Sequence, residues 1–555
     1  MTVDQLSSTQ VKPIHLECKN CGWHSVYERP LKRCPTCGDD ILYARYDLEA
    51  LRRDNWGEKI INRKRGMWRY HELLPIKHTE NIVSLGEGDT PLIHAKNVGA
   101  MLGLKYLYIK DERQGPTNSF KDRQASVAIS AMAELGIQEA VVASTGNVAI
   151  AYSAYAARAA IKLWAFFPNL VPSDKIREVA LYGTEVVNVT GTYDQTKEIA
   201  VRFAQSQGIH YDQGIKNIAA MESMKTIAYE IAEELGWRAP DWFIQPVSGG
   251  MGPIGAAKGF EELLELGLVD KVPSLGIIQS TGCAPMVDAF NNGMSVAVPV
   301  ENPETVIATL STGNPGRAYQ LLYELMQQYG GAAESATDEE AFEATRILAR
   351  NDGISVEPAT AVGFAGLIKL VRRGVIKPND VVVFNCTGHT FPVEKEILGE
   401  RWAKQVDISN ASRTPSLPTD RLLTEVGKVS TSNARRVLVI EDNEDSARLI
   451  RRILEGGAGH EVTIAQNGRE GLEIAMQEKP DLIVTDLMMP EMDGFQVVER
   501  LKAAPELRDI PVIVLSAKEL TPVERSRLAG QVESFLQKGS FLNEELLQRI
   551  IDSLN

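Results

Sequence analysis

Apolar segments alternate with helical segments over most of the chain. Leu107–Ile109 and Val141–Ser144 are short, mainly apolar runs of the kind found in buried strands. Ala149–Ala160 is Ala-rich and apolar on most sides, which favours a buried helix that packs closely against its neighbours. From about residue 45 to residue 400, this alternation predicts an α/β fold with a parallel sheet.

The alternation stops at residues 406–434 and then begins again. Asp407–Pro418 has few residues to bury and several Ser and Pro residues, so it is interpreted as a linker. Arg436–Ile440 predicts a new strand, and the repeats of strand and helix that follow, about five in all, are typical of one small doubly wound (βα)5 domain. The predicted parts are an N-terminal segment, 1–46, an α/β domain, 47–405, the linker, and a second α/β domain, 435–555.

The composition is that of a protein with several domains. A chain of 555 residues is too long for one core, and 44% hydrophobic and 24% charged residues are typical of globular proteins. The net charge of −14 offers no basic face to a nucleic acid. No apolar run is long enough to span a bilayer, and the first residues do not resemble a secretory signal. We therefore expect a cytoplasmic location and neither a membrane nor a nucleic acid as partner.

Four of the six cysteines form two close pairs. Cys18 and Cys21 are separated from Cys34 and Cys37 by a spacer of 12 residues. Sparse cysteines indicate a reducing compartment, and two such pairs can place four thiolates around one tetrahedral Zn²⁺ in a structural site. Two turns without a metal are the alternative. A glycine that permits a tight turn follows each pair, at Gly22 and at Gly38.

Lys121 lies in a segment that reads Pro-Thr-Asn-Ser-Phe-Lys-Asp-Arg from residue 116. Most lysines are solvated surface charges. Here Gly115 and Pro116 predict a turn before the lysine, Ser119 is a candidate helix cap, and an Ala-rich segment follows. A lysine beside such a buried element can have a lowered pKa, which suits Schiff-base chemistry.

This segment resembles the threonine synthase family of fold-type II pyridoxal-phosphate enzymes. The resemblance covers residues 18–402 and includes Asp111-Glu112, Ser144-Thr145-Gly146-Asn147, Met-Trp-Arg-Tyr-His-Glu-Leu-Leu-Pro at 67–75 and Val-Ser-Leu-Gly-Glu-Gly-Asp-Thr-Pro-Leu at 83–92. Many members also carry a knuckle of four cysteines at the N-terminus. The resemblance implies a two-lobed, pyridoxal-phosphate-dependent lyase that acts on an amino acid, and it suggests a homodimer.

The resemblance also implies roles for particular residues. Lys121 would hold the cofactor covalently and then move protons at the α and γ carbons of the substrate. The other cofactor ligands would be Asn147 at the ring hydroxyl, Thr387 at the pyridine nitrogen, and a phosphate cradle of Ser248, Gly249, Gly250, Met251 and Gly252. The helical stretch Ile254–Phe260 would add its dipole to the cradle. The substrate carboxylate would lie at Ser144, Thr145 and Gly146, where a strand leads into a helix N-terminus.

The sequence departs from the family pattern where the substrate is recognised. The phosphate of O-phosphohomoserine calls for arginines, but the family arginine is absent from Asn217–Thr226, where apolar residues replace polar ones. Thr312–Pro315 keeps part of another family motif, with Arg317 in an unusual setting, and Asn118 replaces a glycine. Conversion of O-phosphohomoserine to threonine, elimination or replacement on another amino acid, and a weak relative that senses a ligand all stay open.

Polar residues follow several strands of the second α/β domain. Glu441 and Asp442 follow one apolar run, Asp486 ends another, and Ser516 and Lys538 come at or just after the ends of two later runs. Because the carboxyl ends of parallel strands meet at one edge of a sheet, we expect these side chains to lie together. Clustered carboxylates repel one another unless a cation binds, and Mg²⁺ prefers oxygen ligands.

Residues 435–555 resemble the receiver domain of two-component response regulators. The resemblance implies that Asp486 is the phosphoacceptor and that a sensor histidine kinase or a phosphotransfer protein is a partner. Mg²⁺ would be held by Glu441, Asp442, Asp486 and the backbone carbonyl of Met488, and the switch residues would be Ser516, Phe535 and Lys538.

Three functions follow from the combination of the two domains. The first is a threonine synthase-like lyase regulated by a phosphorelay. The second is a signalling protein whose cofactor domain senses an amino acid or the cofactor without turnover. In the third, the receiver is degenerate and serves only for docking or localisation.

Overall fold

The computed structural model of the chain describes residues 14–27, 31, 33–168, 171, 173–212, 214–389, 435–458, 460–516 and 520–537. These residues form two compact units, which are described one at a time. The predicted linker, 406–434, and the switch residue Lys538 lie outside the described residues. In the part of the chain that is described, no helix is both long and apolar enough to cross a membrane.

The N-terminal cysteines belong to a small antiparallel sheet. Its strands are β1 (His15–Glu17), β2 (His24–Val26) and β3 (Tyr43–Arg45), in the order β2-β1-β3. Leu16 and Ala44 are paired in register and are buried together with Cys18 and Cys34. Ile218, from a distant helix, completes this small core, so the cysteine pairs are packed against the rest of the unit.

Strands and helices alternate from residue 48 to residue 386, as the pattern of apolar segments predicts. The strands are β4 (Leu92–His94), β5 (Tyr106–Asp111), β6 (Glu139–Ala143), β7 (Lys162–Pro168), β8 (Glu185–Val189), β9 (His210–Tyr211), β10 (Trp242–Pro246), β11 (Ser274–Ser280), β12 (Gly331–Ala336) and β13 (Val381–Cys386). The helices are α1 (Leu48–Arg53), α2 (Trp56–Ile61), α3 (Lys96–Leu102), α4 (Lys121–Glu134), α5 (Asn147–Arg158), α6 (Ser173–Leu181), α7 (Tyr193–Gln207), α8 (Ile218–Ser223), α9 (Lys225–Glu234), α10 (Met251–Glu265), α11 (Pro285–Asn291), α12 (Arg317–Tyr329), α13 (Asp338–Asp352) and α14 (Pro358–Arg372).

These strands form two sheets, which confirms the two-lobed α/β fold. The larger sheet has the order β12-β11-β10-β13-β5-β4, in which β4 is antiparallel to β5 while β11, β10 and β13 run parallel. The smaller sheet has the order β8-β7-β6-β9 and is parallel throughout. All its strands come from the chain between β5 and β10, so the small lobe is an insertion into the large one.

Helix α4 begins at the lysine singled out by the sequence, but not in the way predicted. The residue before the helix is Phe120, without a side-chain cap, and the hydroxyl of Ser119 has no partner among the described residues. The prediction that Ser119 caps the helix is therefore wrong. Its backbone instead pairs with Gly388. The turn before the helix is closed by the Asp122 carboxylate, which accepts hydrogen bonds from the amide (3.0 Å) and the hydroxyl (2.7 Å) of Thr117.

The second unit contains a doubly wound parallel sheet, as predicted. Its strands have the order β15-β14-β16-β17-β18, and every neighbouring pair is parallel. The strands are β14 (Arg436–Ile440), β15 (Glu461–Ala465), β16 (Leu482–Asp486), β17 (Val512–Ser516) and β18 (Ser534–Gln537). The helices are α15 (Glu444–Ala458), α16 (Gly468–Glu478), α17 (Gly494–Ala503) and α18 (Pro522–Leu528). Strands β14, β16 and β17 are buried and mainly apolar, which explains why the sequence predicts them so closely.

Candidate active site and phosphoacceptor site

A cavity of about 1380 Å³ brings together residues that lie far apart in the sequence. It is lined by segments that follow strands of both sheets, as expected for a ligand site in an α/β protein. Its lining includes Lys121, Ser144, Thr145, Asn147, Ser248, Gly249, Gly250, Met251, Gly252 and Thr387. Of the residues predicted for this site, Gly146 lies just behind the lining as the residue that precedes α5, with φ of 147°.

The backbone before Lys121 is fixed against the segment that carries Thr387. The amide of Phe120 donates to the carbonyl of Thr387 (3.0 Å), and the amide of His389 donates to the carbonyl of Asn118 (3.0 Å). Asn118 has φ of 60°, a left-handed conformation that glycine adopts most easily and asparagine tolerates. The replacement of the family glycine by Asn118 therefore preserves this turn.

The amine of Lys121 is held inside the cavity. Burial lowers the pKa of Lys121 to about 8, and the nearby carboxylate of Glu357 partly offsets this effect. Its Nζ lies 4.1 Å from the centre of the Phe120 ring. At neutral pH a larger fraction of this side chain is the uncharged amine than for a surface lysine, and the uncharged amine is the nucleophile in Schiff-base formation.

Glu357, which sequence reasoning missed, joins two of the predicted cofactor ligands. One carboxylate oxygen accepts a hydrogen bond from the Asn147 amide (2.8 Å), and the other accepts one from the Thr387 hydroxyl (2.8 Å). The carboxylate is buried, and a Cβ at Gly388 would lie 2.9 Å from its Oε1, so a side chain at position 388 would displace it. The sequence feature that could have indicated Glu357 is its place directly before Pro358, the first residue of α14.

Lys175 on α6 also contacts this group and was not predicted. Its Nζ donates to Oδ1 of Asn147 at 2.9 Å. A Cβ built at Gly146 would lie 3.2 Å from the Lys175 side chain, so the cation lies directly behind the loop that was predicted to hold the substrate carboxylate. Lys175 therefore adds a positive charge next to that loop.

The glycine-rich loop leads from β10 into α10. Gly250, directly before the helix, has φ of 77°, which favours glycine. A Cβ at Gly252 would collide with the side-chain amide of Gln245, so a larger residue there would displace that amide. Ser248 and Thr312 share a hydrogen bond of 2.6 Å between their hydroxyls. Free backbone amides and the dipole of α10, which is 15 residues long, suit this loop to an anion.

The stretch predicted for substrate recognition, Asn217–Thr226, supports the core instead of the cavity. The described lining of the cavity includes Gly214, Ile215 and Lys216 but no residue from 217 to 226. The side chain of Asn217 caps α8 by accepting hydrogen bonds from the backbone amides of Ala219 and Ala220. Its apolar residues are buried, which explains why polar residues have been replaced there.

A buried cluster of four charges, Glu222, Lys225, Lys258 and Glu262, ties this stretch to α10. Lys225 bonds both glutamates, at 2.6 and 2.9 Å, and Lys258 also pairs with Glu222. Burial alone would raise the pKa of Glu222, but the two lysines outweigh it and lower that pKa. Two groups at the edge of the cysteine knuckle complete the cluster: the carbonyl of Ala44, which accepts from Lys258 (2.7 Å), and the hydroxyl of Tyr46, which donates to Glu222 (3.0 Å).

The four cysteine sulfurs converge as the sequence spacing predicts. All lie within 4.8 Å of one another, with 3.6 Å between Cys18 and Cys37 and 3.6 Å between Cys21 and Cys34. Ligands about 2.3 Å from a tetrahedral Zn²⁺ are about 3.8 Å apart, so this arrangement fits the metal. Each pair is closed by the same turn, with a positive φ at Gly22 and at Gly38.

The cysteine knuckle also forms part of the cavity wall. Arg33, Asp40 and Ile41 are lining residues. Asp40 forms an ion pair with Lys216, and Asp39 lies 3.5 Å from Arg317, another lining residue. The knuckle therefore contributes both charge and surface to the cavity.

Three carboxylates meet at the edge of the second unit's sheet, as predicted. Oxygens of Glu441, Asp442 and Asp486 lie within 4.8 Å of one another. Oδ1 of Asp486 accepts hydrogen bonds from the backbone amides of Leu487 (2.6 Å) and Met488 (3.3 Å). Such a group of oxygens fits Mg²⁺, which is commonly held by carboxylates and water.

The neighbouring strands bring two further predicted residues into the described structure. Ser516 is buried at the end of β17, next to β16, and Phe535 is partly buried against the core from β18. A Cβ at Gly494 would lie 2.2 Å from the carbonyl of Asp486, so the turn into α17 requires glycine.

Comparisons with known proteins match both units. Residues 83–388 match the family described as pyridoxal-phosphate dependent enzyme, and residues 437–551 match the response regulator receiver domain. Threonine synthase from Methanocaldococcus jannaschii is 39% identical over 375 residues, which are 65% of this chain and 92% of the relative. Threonine synthase from Methanosarcina acetivorans is 37% identical, over 68% of this chain and 91% of the relative.

A solved structure shares the fold of the larger unit. Diaminopropionate ammonia lyase from Escherichia coli superimposes with a TM-score of 0.50 at 18% identity, over 57% of this chain and 89% of that chain. At this identity the likeness concerns the fold alone. The chain thus belongs to the family of pyridoxal-phosphate-dependent enzymes, is similar there to threonine synthases, and carries a response regulator receiver domain after the enzyme domain.

Proposed function

We propose that the protein catalyses an elimination and replacement reaction on an amino acid, with pyridoxal phosphate bound to Lys121. The observation that carries the proposal is the single cavity in which Lys121, with its lowered pKa, faces Asn147, Thr387 and the glycine-rich loop. When bound, the cofactor supplies an electron sink for negative charge at the α carbon of the substrate.

The residues around Lys121 fit this cofactor. The glycine-rich loop at the N-terminus of α10 offers backbone amides to its phosphate. Asn147 would hold the ring hydroxyl. Thr387 would lie opposite the pyridine nitrogen and would donate to it by turning its single hydroxyl proton away from Glu357. Ser144, Thr145 and Gly146, before α5, would bind the substrate carboxylate. Lys121 would then carry protons to and from the substrate carbon atoms.

The first candidate substrate is O-phosphohomoserine, which reacts with water to give threonine and inorganic phosphate. Two observations support an anionic substrate: the relatives are threonine synthases, and cations line the cavity. Those cations are Arg33, Lys197, Arg202, Lys216 and Arg317. Carboxylates also line the cavity, and Lys197 and Lys216 are paired with two of them, Asp194 and Asp40. The missing arginine in Asn217–Thr226 does not count against this substrate, because that stretch does not line the cavity.

The test is release of threonine and phosphate from O-phosphohomoserine by the purified protein loaded with cofactor. Equal amounts of the two products would support the proposal. Binding of O-phosphohomoserine without turnover would instead favour a sensing role. Turnover of a different amino acid would keep the reaction class and change the substrate.

Replacement of Lys175 by Met should raise KM for O-phosphohomoserine about 10- to 100-fold. It removes the hydrogen bond that positions Asn147 and the positive charge behind the loop proposed for the substrate carboxylate, and a charged hydrogen bond contributes about 1.5–3 kcal/mol. We expect a smaller effect on kcat. Steady-state kinetics of the variant measure both values. With O-acetylhomoserine, which has the same carboxylate but an uncharged leaving group, KM should rise by a similar factor. Lys162→Met, at a half-exposed lysine paired with Glu139, is the control; equal KM shifts in both variants would contradict a role for Lys175.

We also propose that the receiver domain regulates the enzyme through phosphorylation of Asp486. A sensor histidine kinase or a phosphotransfer protein would donate the phosphoryl group. Mg²⁺ would be held by Glu441, Asp442, Asp486 and the carbonyl of Met488, and Lys538 would contact the phosphoryl group. Ser516 and Phe535 would then pass the change to the surface, where it would act on a homodimer.

The four cysteines would hold a structural Zn²⁺. Cys34→Ser should abolish the binding of one Zn²⁺ per chain and lower the midpoint of thermal unfolding, because Cys34 also belongs to the small core. Metal analysis and thermal unfolding measure the two effects. The control is Cys283→Ser, which alters a buried cysteine outside the knuckle. This variant should still bind one Zn²⁺ per chain. Retention of full zinc by Cys34→Ser would show that this cysteine is not a ligand.

A further inference from the structure

Gln124 is a buried polar residue that lines the cavity. It lies three residues after Lys121 on α4, so both side chains are on the same face of the helix. Only 1% of Gln124 is exposed, yet it is a lining residue. Its Nε2 lies 3.3 Å from the hydroxyl of Tyr152, and that hydroxyl lies 3.0 Å from Oδ2 of Asp212.

This chain of contacts fixes the orientation of the Gln124 amide. Tyr152 has one hydroxyl proton, which it donates to the carboxylate of Asp212. The hydroxyl can therefore only accept from Gln124, so the amide nitrogen points to Tyr152 and the amide oxygen points away. Burial and the Asp212 charge raise the pKa of Tyr152 well above its ordinary value, which keeps the hydroxyl protonated.

The amide oxygen of Gln124 has no hydrogen-bond donor among the described residues. Leaving a buried acceptor unpaired is unfavourable, and such groups in folded proteins usually meet a ligand or an ordered water. Since Gln124 lines the cavity, the missing donor can come from a bound molecule.

The surroundings restrict the chemistry of that donor. A fully ionised phosphate or carboxylate has only acceptors and would place oxygen against oxygen. An ammonium group would meet Lys121 one helical turn away, a like charge. A hydroxyl group satisfies the amide oxygen without either conflict.

We propose that Gln124 determines substrate specificity by accepting a hydrogen bond from a hydroxyl on the side chain of the bound amino acid. The inference rests on the proposed function. In that reaction, the hydroxyl group of the product threonine comes from the water that reacts with the substrate. Gln124 would thus hold the hydroxyl end of threonine, while the cations of the cavity serve the anionic end of the substrate.

Isothermal titration calorimetry with L-threonine and L-valine tests the proposal in the cofactor-loaded protein. Valine carries a methyl group in place of the hydroxyl and has nearly the same shape. The unaltered protein should bind threonine about five- to tenfold more tightly than valine, the effect of one neutral hydrogen bond. In Gln124→Met this preference should disappear, while the Kd of valine changes little.

A second buried glutamine provides the control. Gln279 is also fully buried with one unpartnered amide atom, but it does not line the cavity. Gln279→Met should keep the preference for threonine. Equal affinities for the two amino acids in the unaltered protein, or an unchanged preference in Gln124→Met, would overturn the proposal. Neither measurement needs turnover, so failure of the threonine synthase reaction would be seen separately.

Discussion

Lys121→Ala should lower kcat by at least about a thousandfold, because the substitution removes both the group that attaches the cofactor and the group that moves protons. The covalent link should be lost as well. Borohydride reduction followed by mass spectrometry of the peptide containing residue 121 measures attachment, and steady-state kinetics measure turnover. A variant that still carries cofactor at another lysine and turns over at an undiminished rate would refute the role of Lys121.

Lys502 provides a matched control for this substitution. Burial also lowers its pKa, but it lies in the receiver domain and donates hydrogen bonds to the backbone carbonyls of Arg508 and Ile510. Lys502→Ala should therefore keep cofactor attachment and kcat. A lowered lysine pKa alone does not mark a catalytic group; the cavity and its other ligands distinguish Lys121.

Asp486→Asn should abolish phosphorylation of the protein. An amide does not accept the phosphoryl group and weakens the Mg²⁺ site, because it removes one of three clustered carboxylates. Incubation with acetyl phosphate and Mg²⁺, followed by mass measurement of the intact protein, detects the added phosphoryl group. We expect the unaltered protein to gain one phosphoryl group. When a chelator removes Mg²⁺, this gain in mass should no longer occur.

The enzyme assay then reveals what phosphorylation does. If the receiver regulates the enzyme, acetyl phosphate should change the activity or oligomeric state of the unaltered protein but not of Asp486→Asn. Asp509→Asn, at an exposed carboxylate outside the cluster, should respond like the unaltered protein. A phosphorylated protein with unchanged kinetics and assembly would leave docking or localisation as the role of the receiver.

The strands were predictable because they are buried on both faces. Val141–Ser144 and Arg436–Ile440 are mainly apolar runs in parallel sheets, and β6 and β14 match them closely. Glu441, Asp442 and Asp486 follow or end strands of the second unit, and their proximity was predictable because the carboxyl ends of parallel strands meet at one edge. For the cysteine pairs, spacing alone indicated that four sulfurs would converge.

Side chains whose hydrogen-bond partners lie far away in the sequence were not predictable. Glu357 lies 210 positions from Asn147, and nothing near either residue indicates their hydrogen bond. Lys175 is one of many lysines on helices, and Gln124 is an ordinary residue of an Ala-rich helix. The prediction for Ser119 failed for the opposite reason. Its local sequence suits a helix cap, but its backbone pairs with Gly388, a residue far away in the sequence, and is therefore extended. The roles of these side chains toward cofactor and substrate stay predictions.

The buried charge cluster has a consequence for how related sequences can change. Lys258 and Glu222 each obtain one hydrogen bond from residues 44–46, at the edge of the cysteine knuckle. Without the knuckle, a buried lysine and a buried glutamate would each lose one of their hydrogen-bond partners, at a cost of about 1–3 kcal/mol per group. A single substitution at either position leaves the opposite charge uncompensated. In relatives that have lost the knuckle, positions 222 and 258 should therefore covary.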